Sequence, residues 1–378
     1  MKTNEADVLA TVDRIAVDVI SKHAISVDTE ARFPAESMKA LADAGIWGVL
    51  SSPEVGGLGL GFGTASRVIR RVGRECGSTA MVLTMHYAAV NVLEAAGAAP
   101  SIRHDCASGA HLTTLAFSEA GSRSQFWAPT STAKSAGEHV RLDAHKSWVT
   151  SAPQAQSYVW SSQPLAAEGL SSIWLVPSNT KGLQIKGPFN GLGLRGNESS
   201  PVLAEGVEIP KANLLGEDGK GFDVMMGSVL PIFQLLNASC SLGLMQAAVE
   251  RTIAHASGTS FQHTGSALRD LPTIRSYIAR MKVETDMVET LLDDTASAIE
   301  NGREDTMLRV LECKAAAGES AFRVLDTAMR VCGGAAFRKE VGVERAFRDG
   351  RAAGVMAPTT DVLYDFIGKA VTGMDLFG

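Results

Sequence analysis

Aromatic residues are only 6% of this 378-residue chain, its five cysteines stand at no framework spacing, and acidic residues outnumber basic ones for a formal net charge of -6. Each shortage excludes something. Cys76, Cys106, Cys240, Cys313 and Cys332 are too scattered for a disulfide scaffold and are expected to be reduced core thiols. The eight histidines show no ligand pairs, so no metal is expected. An acidic balance without a basic stripe excludes nucleic acid as the expected partner. No apolar run approaches about 18 residues, and the N-terminal MKTNEADVLATVDRIAVDVI carries mixed charge instead of a basic-then-apolar leader. No membrane partner is expected, and the location is read as cytoplasmic.

What is present is a chain 45% hydrophobic and long enough for two or three units around a large core. To about Ala110 the apolar residues follow helical spacing: Val8, Val12, Ile15, Val19 and Ile20, then Met38 and Leu41, then Val68, Ile69 and Val72. Ser51 to Gly63 interrupts them with five glycines and a proline. Its GGLGLG has no strand before it and no βαβ unit after it, so it reads as a structural turn and not a dinucleotide loop.

From Leu112 the period becomes that of strands: Leu112 to Phe117, His139 to Leu142, Ser147 to Thr150, Ser157 to Ser161, Ser172 to Val176, Leu183 to Ile185 and Val202 to Ile209. A small antiparallel barrel or sandwich is expected. After Gly219-Lys220-Gly221 long helices return, with Pro231 and Pro272 near two starts, a stop at Asn301-Gly302, and a third helix from Asp305 to Cys332 ending at Gly333-Gly334. The expected units are a helical domain over 1–111, a β domain over 112–217 and a helical bundle over 218–378.

The stretch least like a helix is His111 to Thr150. In it a β-branched run ends in Ser118-Glu119-Ala120-Gly121-Ser122, and Trp148-Val149-Thr150 follows later. Small residues after a strand leave backbone N–H groups free for an anionic or carbonyl-bearing ligand, and a nearby Trp can cover an aromatic ring. A flavin suits such a site.

These residues resemble two motifs of the acyl-CoA dehydrogenase family, a T-E-P-G-x-G-S-D segment (here Ser118 to Gln125) and a W-I-T segment (here Trp148 to Thr150). Phe33 to Gly61, Gly191 to Ser200, Asn213 to Phe222 and Cys332 to Phe337 match further family landmarks in the same order. The resemblance implies an α+β, mostly α fold: N-terminal helical domain, middle β-barrel or sandwich, C-terminal four-helix bundle. It implies FAD as cofactor, with Phe117, Ser118, Ser124, Trp148, Thr150 and Thr359 on the flavin. Arg330, Gly333 and Gly334 match a Q-x-x-G-G segment that reaches a neighbouring subunit's FAD, with Arg330 in place of Gln; the residues alone equally allow a solvated helix face there. Of an R-x-x-F-G adenine-side segment only Phe261 is retained.

The implied reaction is oxidation of an acyl thioester at its α and β carbons, in which a carboxylate takes the α proton and hydride leaves to flavin. The two family positions for that carboxylate are Ala357 and Phe233 here, and Gln234 follows where an arginine near CoA phosphates is common. Phe233 and Gln234 are thus placed on the substrate side. Leu230 to Asn237 and Gly350 to Thr360 contain no acid. Asp361, one helical turn beyond Ala357, is the nearest alternative base, against its reading as a helix-start residue. His86, on an apolar helix, is a second acid–base candidate, against its reading as a core histidine. Glu119 is expected to satisfy backbone donors.

Two functions remain open: acyl thioester dehydrogenation with a displaced base, or monooxygenation by flavin reduced by a separate reductase, which needs no α-proton base. A non-catalytic flavin-fold scaffold ranks behind both. The implied partners are an acyl-CoA or other acyl thioester, an electron-transfer flavoprotein or flavin reductase, and further copies of the chain in a dimer or tetramer.

Overall fold

The computed structural model describes residues 4–377; residues 1–3 and 378, the outer ends of the first and last expected domains, lie outside the described residues. Asn4 starts the first helix by accepting the Asp7 N–H at 3.0 Å, a side-chain cap for an otherwise orphaned donor. Helix α1 (Glu5–Ile15) continues through a π turn into α2 (Ser21–Thr29), followed by α3 (Ala35–Asp43), α4 (Phe62–Glu75), α5 (Gly77–Ala95) and α6 (Pro100–Ser108). The glycine-rich segment before α4 is a tight loop, where a side chain at Gly57 would overlap the Ser51 carbonyl.

The middle of the chain is a sandwich of two four-stranded sheets. Its strands are β1 (Thr113–Ala116), β2 (Thr132–Ala136), β3 (His139–Val149), β4 (Ser157–Ser162), β5 (Ser172–Pro177), β6 (Leu183–Ile185), β7 (Ser200–Pro210) and β8 (Leu214–Leu215). The sheet orders are β1-β4-β5-β8 and β2-β3-β7-β6. Three details correct the sequence reading. The two runs His139 to Leu142 and Ser147 to Thr150 belong to one strand, because irregularities against β7 at Leu142/Ala144 and Lys146/Val149 break the alternation between them. The polar TAKSA of β2 and the two-residue β8 carried no strand pattern. And β1 pairs with β4 in parallel, a geometry that needs the long crossover through β2 and β3, while every other ladder is antiparallel.

Alternation across the first sheet decides what faces what. Tyr158, Trp160, Trp174 and Val176 enter the sandwich core, whereas Leu115, Val159 and Ile173 enter the helical core. This sheet is therefore buried on both faces.

The C-terminal part runs α7 (Gly221–Val224), a π turn at Met225–Val229, α8 (Leu230–Gly258), α9 (Pro272–Glu300), α10 (Thr306–Cys332), α11 (Val343–Asp349), α12 (Ala352–Val355) and α13 (Thr360–Val371). Pro272 sits in the first turn of α9, where no N–H is lost, and Pro231 comes just after the π turn that precedes α8. The continuous helix from Gly221 to Gly258 has a window apolar enough to span a bilayer, but 83% of that window is buried in the molecule, so it is a core helix. Ala238, Leu242, Met245 and Val249 of α8 pack with Val288 and Leu292 of α9 and Ala317, Ala321 and Val324 of α10.

One side chain ties three regions together. The Arg348 guanidinium of α11 donates to both Asp28 oxygens of α2 at 2.8 and 2.6 Å, to Glu344 at 2.7 Å and to the Leu192 carbonyl at 3.2 Å. Next to it, buried Asp349 accepts the Leu194 N–H at 2.6 Å, and burial pushes its carboxyl up to about 6. Breaking a largely desolvated pair strands the remaining charge, so Arg348→Met is expected to lower unfolding free energy by about 3 kcal/mol in urea melts. A loss within scatter of zero contradicts the clamp.

Candidate functional site

A cavity of about 60 Å³ opens where the sandwich, α5, α8 and the segment before α13 meet. Leu115 and Phe117 reach it from β1 because odd-numbered residues there point away from the sandwich. Met85 of α5 and Val229, Leu230 and Phe233 of the α8 region supply the opposite wall. Ser118, Phe126, Ser147, Trp148 and Ala357 complete it. Among the described residues no carboxylate lines this cavity.

The β-side wall hangs on a buried ion pair. Lys146 Nζ, with no exposed side-chain surface, donates to Glu119 at 2.5 Å, to the Ser161 carbonyl at 2.7 Å and to Ser161 Oγ at 2.9 Å. The Glu119 carboxylate also accepts the Thr130 and Ser131 N–H groups at 2.6 and 3.1 Å and both hydroxyls of those residues. Burial alone would raise the Glu119 pKa, but the ammonium and these donors hold it below the ordinary carboxylate range. It is ionised and fully engaged. The pair fastens the 119–131 loop to β3, and the Ser147 N–H donates to the Ser118 carbonyl at 2.9 Å beside it. Trp148 then turns out of the strand with φ of +57°, a left-handed backbone that costs a residue other than glycine, and its indole is 65% exposed at the cavity rim.

The C-terminal wall rests on a second buried cation. Lys314 of α10, 1% exposed, donates to the carbonyls of Met356 and Pro358, at 2.9 and 2.7 Å, and so grips the turn that presents Ala357. With no carboxylate as partner, burial pulls its pKa down to about 7.

Ser124 Oγ donates to Thr359 Oγ1 at 3.5 Å, joining two residues predicted on the flavin. Thr150 is buried against Ser199, with their hydroxyls 3.1 Å apart. Gln234 is fully buried, and neither atom of its carboxamide has a partner among the described residues. Asp361 is not brought to the cavity: Met356 to Thr359 are not helical, α13 starts at Thr360, and Asp361 is exposed in its first turn. The one-turn relation to Ala357 therefore does not exist. His86 is fully buried, accepts the Thr113 N–H at 3.4 Å, packs on Trp47 and does not line the cavity; burial pulls its pKa down to about 3, so it is neutral. Arg330, Gly333 and Gly334 are exposed at the far end of α10, with Arg330 over the Tyr277 ring at 5.7 Å. All five cysteines are buried and unpaired.

Models of the N-terminal, middle and C-terminal domains of acyl-CoA dehydrogenases match residues 2–100, 114–207 and 219–372 in turn. The chain belongs to the acyl-CoA dehydrogenase family. It is 28% identical over 357 residues to the probable acyl-CoA dehydrogenase YngJ of Bacillus subtilis, covering 91% of both chains. It is 29% identical over 346 residues to the mitochondrial short-chain specific acyl-CoA dehydrogenase of Bos taurus, covering 90% of this chain and 83% of that one. The solved structure of an FAD complex of PigA shares the fold, with a TM-score of 0.91, 20% identity and full coverage of both chains.

Ala357 and Phe233, where the resemblance led the carboxylate to be expected, both line this cavity. The sequence reading did not single out Met85, Leu115, Phe126, Ser147, Val229, Leu230 or Lys314. Strand alternation places Leu115 beside Phe117, and helical spacing places Leu230 with Phe233; Lys314 gave no signal, because a lone lysine in a helical pattern reads as surface.

A lysine with a depressed folded pKa binds fewer protons when folded than unfolded between about pH 7 and its ordinary value, so its penalty shrinks as pH rises through that window. The stability of wild type relative to Lys314→Met is accordingly expected to improve steadily from pH 7 to 10. A pH-independent difference contradicts an uncompensated buried lysine.

Proposed function

We propose that this chain is a cytoplasmic FAD-dependent oxidoreductase that accepts an acyl thioester with its acyl chain in the Phe117–Phe233–Ala357 cavity. The relatives support the acyl thioester and dehydrogenation as the first reading. The residues present fit a flavin: an exposed indole set on a left-handed backbone at the rim, an aromatic and a serine from the end of β1 beside it, and the Ser124–Thr359 contact across from it. Bound FAD would supply the hydride acceptor or, when reduced, the centre that reacts with oxygen. Phe117, Ser118, Trp148 and Thr150 would position its ring, and Ser124 and Thr359 its chain. The apolar wall of Met85, Leu115, Phe126 and Leu230 would hold the acyl chain and exclude water.

A specific observation favours the second reading, monooxygenation of the substrate with a separate reductase. Dehydrogenation must deliver the α proton to a base, and the cavity wall offers Ala357 and Phe233 where a carboxylate is needed. Glu119, the buried acid next to cavity-lining Ser118, already accepts from Lys146, Thr130 and Ser131. In the first reading electrons pass to an electron-transfer flavoprotein. In either, the chain works as a homodimer or homotetramer, with Arg330, Gly333 and Gly334 directed at the FAD of a neighbouring copy. The groove of α9, α10 and α13 that exposes Val283, Met287 and Tyr364 offers a packing face.

Anaerobic mixing of the yellow protein with butyryl-, hexanoyl- and decanoyl-CoA separates the two. Dehydrogenation bleaches the oxidised flavin band; monooxygenation leaves it unchanged until a reductant and oxygen are added, whereupon hydroxylated product forms. Ala357→Glu places a carboxylate on the cavity wall and is expected to raise the anaerobic bleaching rate by about two orders of magnitude or more. No gain in a folded, FAD-loaded Ala357→Glu variant contradicts the assignment of Ala357 to the reacting carbons. Trp148→Ala is expected to lower FAD retention through gel filtration and to shift the flavin spectrum; an unchanged holoprotein spectrum removes Trp148 from the flavin.

A further inference from the structure

On α8, next to the cavity-lining Phe233, two buried carboxamides hold atoms that the protein itself leaves unsatisfied. Leu230, Phe233, Gln234 and Asn237 follow the i, i+3, i+4, i+7 spacing of one helical face of α8. The first two line the cavity. The last two are 0% and 1% exposed, and Gln234 Oε1, Gln234 Nε2 and Asn237 Oδ1 have no hydrogen-bond partner among the described residues. Asn237 Nδ2 meets only the Met356 sulfur, a weak acceptor, at 3.1 Å, one residue from Ala357. Ala357 itself leaves room on the facing wall. Three amide atoms buried without partners are a standing cost to the fold, and a ligand group that pairs with them recovers it as affinity.

We propose that Gln234 and Asn237 are specificity residues for a hydroxyl group carried on C2 or C3 of the acyl chain, so that the substrate is a hydroxyacyl thioester. This rests on the acyl thioester reading above. The inventory of unpaired atoms selects the hydroxyl. The orphaned oxygens call for a donor and the orphaned Nε2 for an acceptor; a hydroxyl gives its one proton to an amide oxygen and accepts from Nε2, pairing two of the three atoms. A plain methylene chain satisfies none of them. A carboxylate only accepts, and would set its charge against the two amide oxygens. A protonated amine would add a second positive charge near Lys314, which holds the Met356 and Pro358 carbonyls on the same turn. The hydroxyl belongs on C2 or C3 because Asn237 meets Met356, the residue before Ala357, the position assigned to the reacting carbons.

The test is calorimetric titration of the FAD-loaded protein with butyryl-CoA, racemic 2-hydroxybutyryl-CoA, racemic 3-hydroxybutyryl-CoA and succinyl-CoA. One of the two hydroxylated thioesters is expected to bind at least about tenfold more tightly than butyryl-CoA, and succinyl-CoA more weakly than either. In Gln234→Met, which keeps the side-chain length, and Asn237→Leu, which keeps the number and branching of the side-chain heavy atoms, the ratio of hydroxylated to plain thioester affinity is expected to fall to within about twofold. Both variants remove unpaired buried atoms, so their Tm values are expected to equal or exceed that of the wild type. Equal affinity for butyryl-CoA and both hydroxylated thioesters, or a preference that survives in both variants, overturns the hydroxyl assignment and leaves the thioester reading standing. Heat from none of the four thioesters overturns the thioester reading and this inference with it.

Discussion

A buried ion pair holds the site together. Glu119 and Lys146 meet in a region with almost no solvent, where two opposite charges are tolerable only if every remaining lone pair and proton finds a partner. Here they do: Thr130 and Ser131 complete the carboxylate, and Ser161 completes the ammonium. The consequence is geometric. The pair clips the loop after β1 to the end of β3, which fixes Ser118 beside Ser147 and leaves Trp148 on the rim in a backbone conformation that a looser strand would relax. At the outer end of the same loop, Trp127 packs with Phe366 of α13 and Phe377 at ring-centroid distances of 5.7 and 5.4 Å, so the clip also seats the C-terminal helix.

The opposite wall follows different physics. Lys314 has no counter-charge and persists on two carbonyls, while Gln234 and Asn237 hold unpaired amides on the adjoining helix face. Charge is thus confined behind the cavity wall, and the wall itself is neutral. That arrangement suits binding and orientation of a substrate and offers no acid or base to it. Family membership and the neutral wall therefore point in different directions: the first toward abstraction of hydrogen from an acyl chain, the second toward chemistry in which the chain's own side chains do not take the proton.

How much of this was legible in the sequence depends on the signal each part left. Helical periods, prolines at helix starts and the Asn301-Gly302 stop marked the helices, and six motifs in order carried the family. Strand β3 was split because irregularities at Leu142/Ala144 and Lys146/Val149 interrupt its alternation, and the parallel β1–β4 ladder has no local signature at all. At the site, the positions of Ala357 and Phe233 on one cavity could be expected by counting from motifs. The helix-start reading of Asp361 was legible too, from Thr359 and Thr360 before it, and α13 begins at Thr360. Lys314 was not: only tertiary packing separates a buried lysine from a surface one. Met85 and His86 show the same limit, neighbours on one helix of which only Met85 reaches the cavity.

The most direct measurement is an experimental structure of the FAD-loaded protein with a bound acyl thioester. The flavin ring is predicted to lie against Trp148 and Ser118, with C2 of the acyl chain in contact with Ala357 and no carboxylate of the protein within hydrogen-bond reach of C2. A ring seated elsewhere, or an Asp or Glu side chain placed against C2, would contradict a base-free acyl site at this cavity.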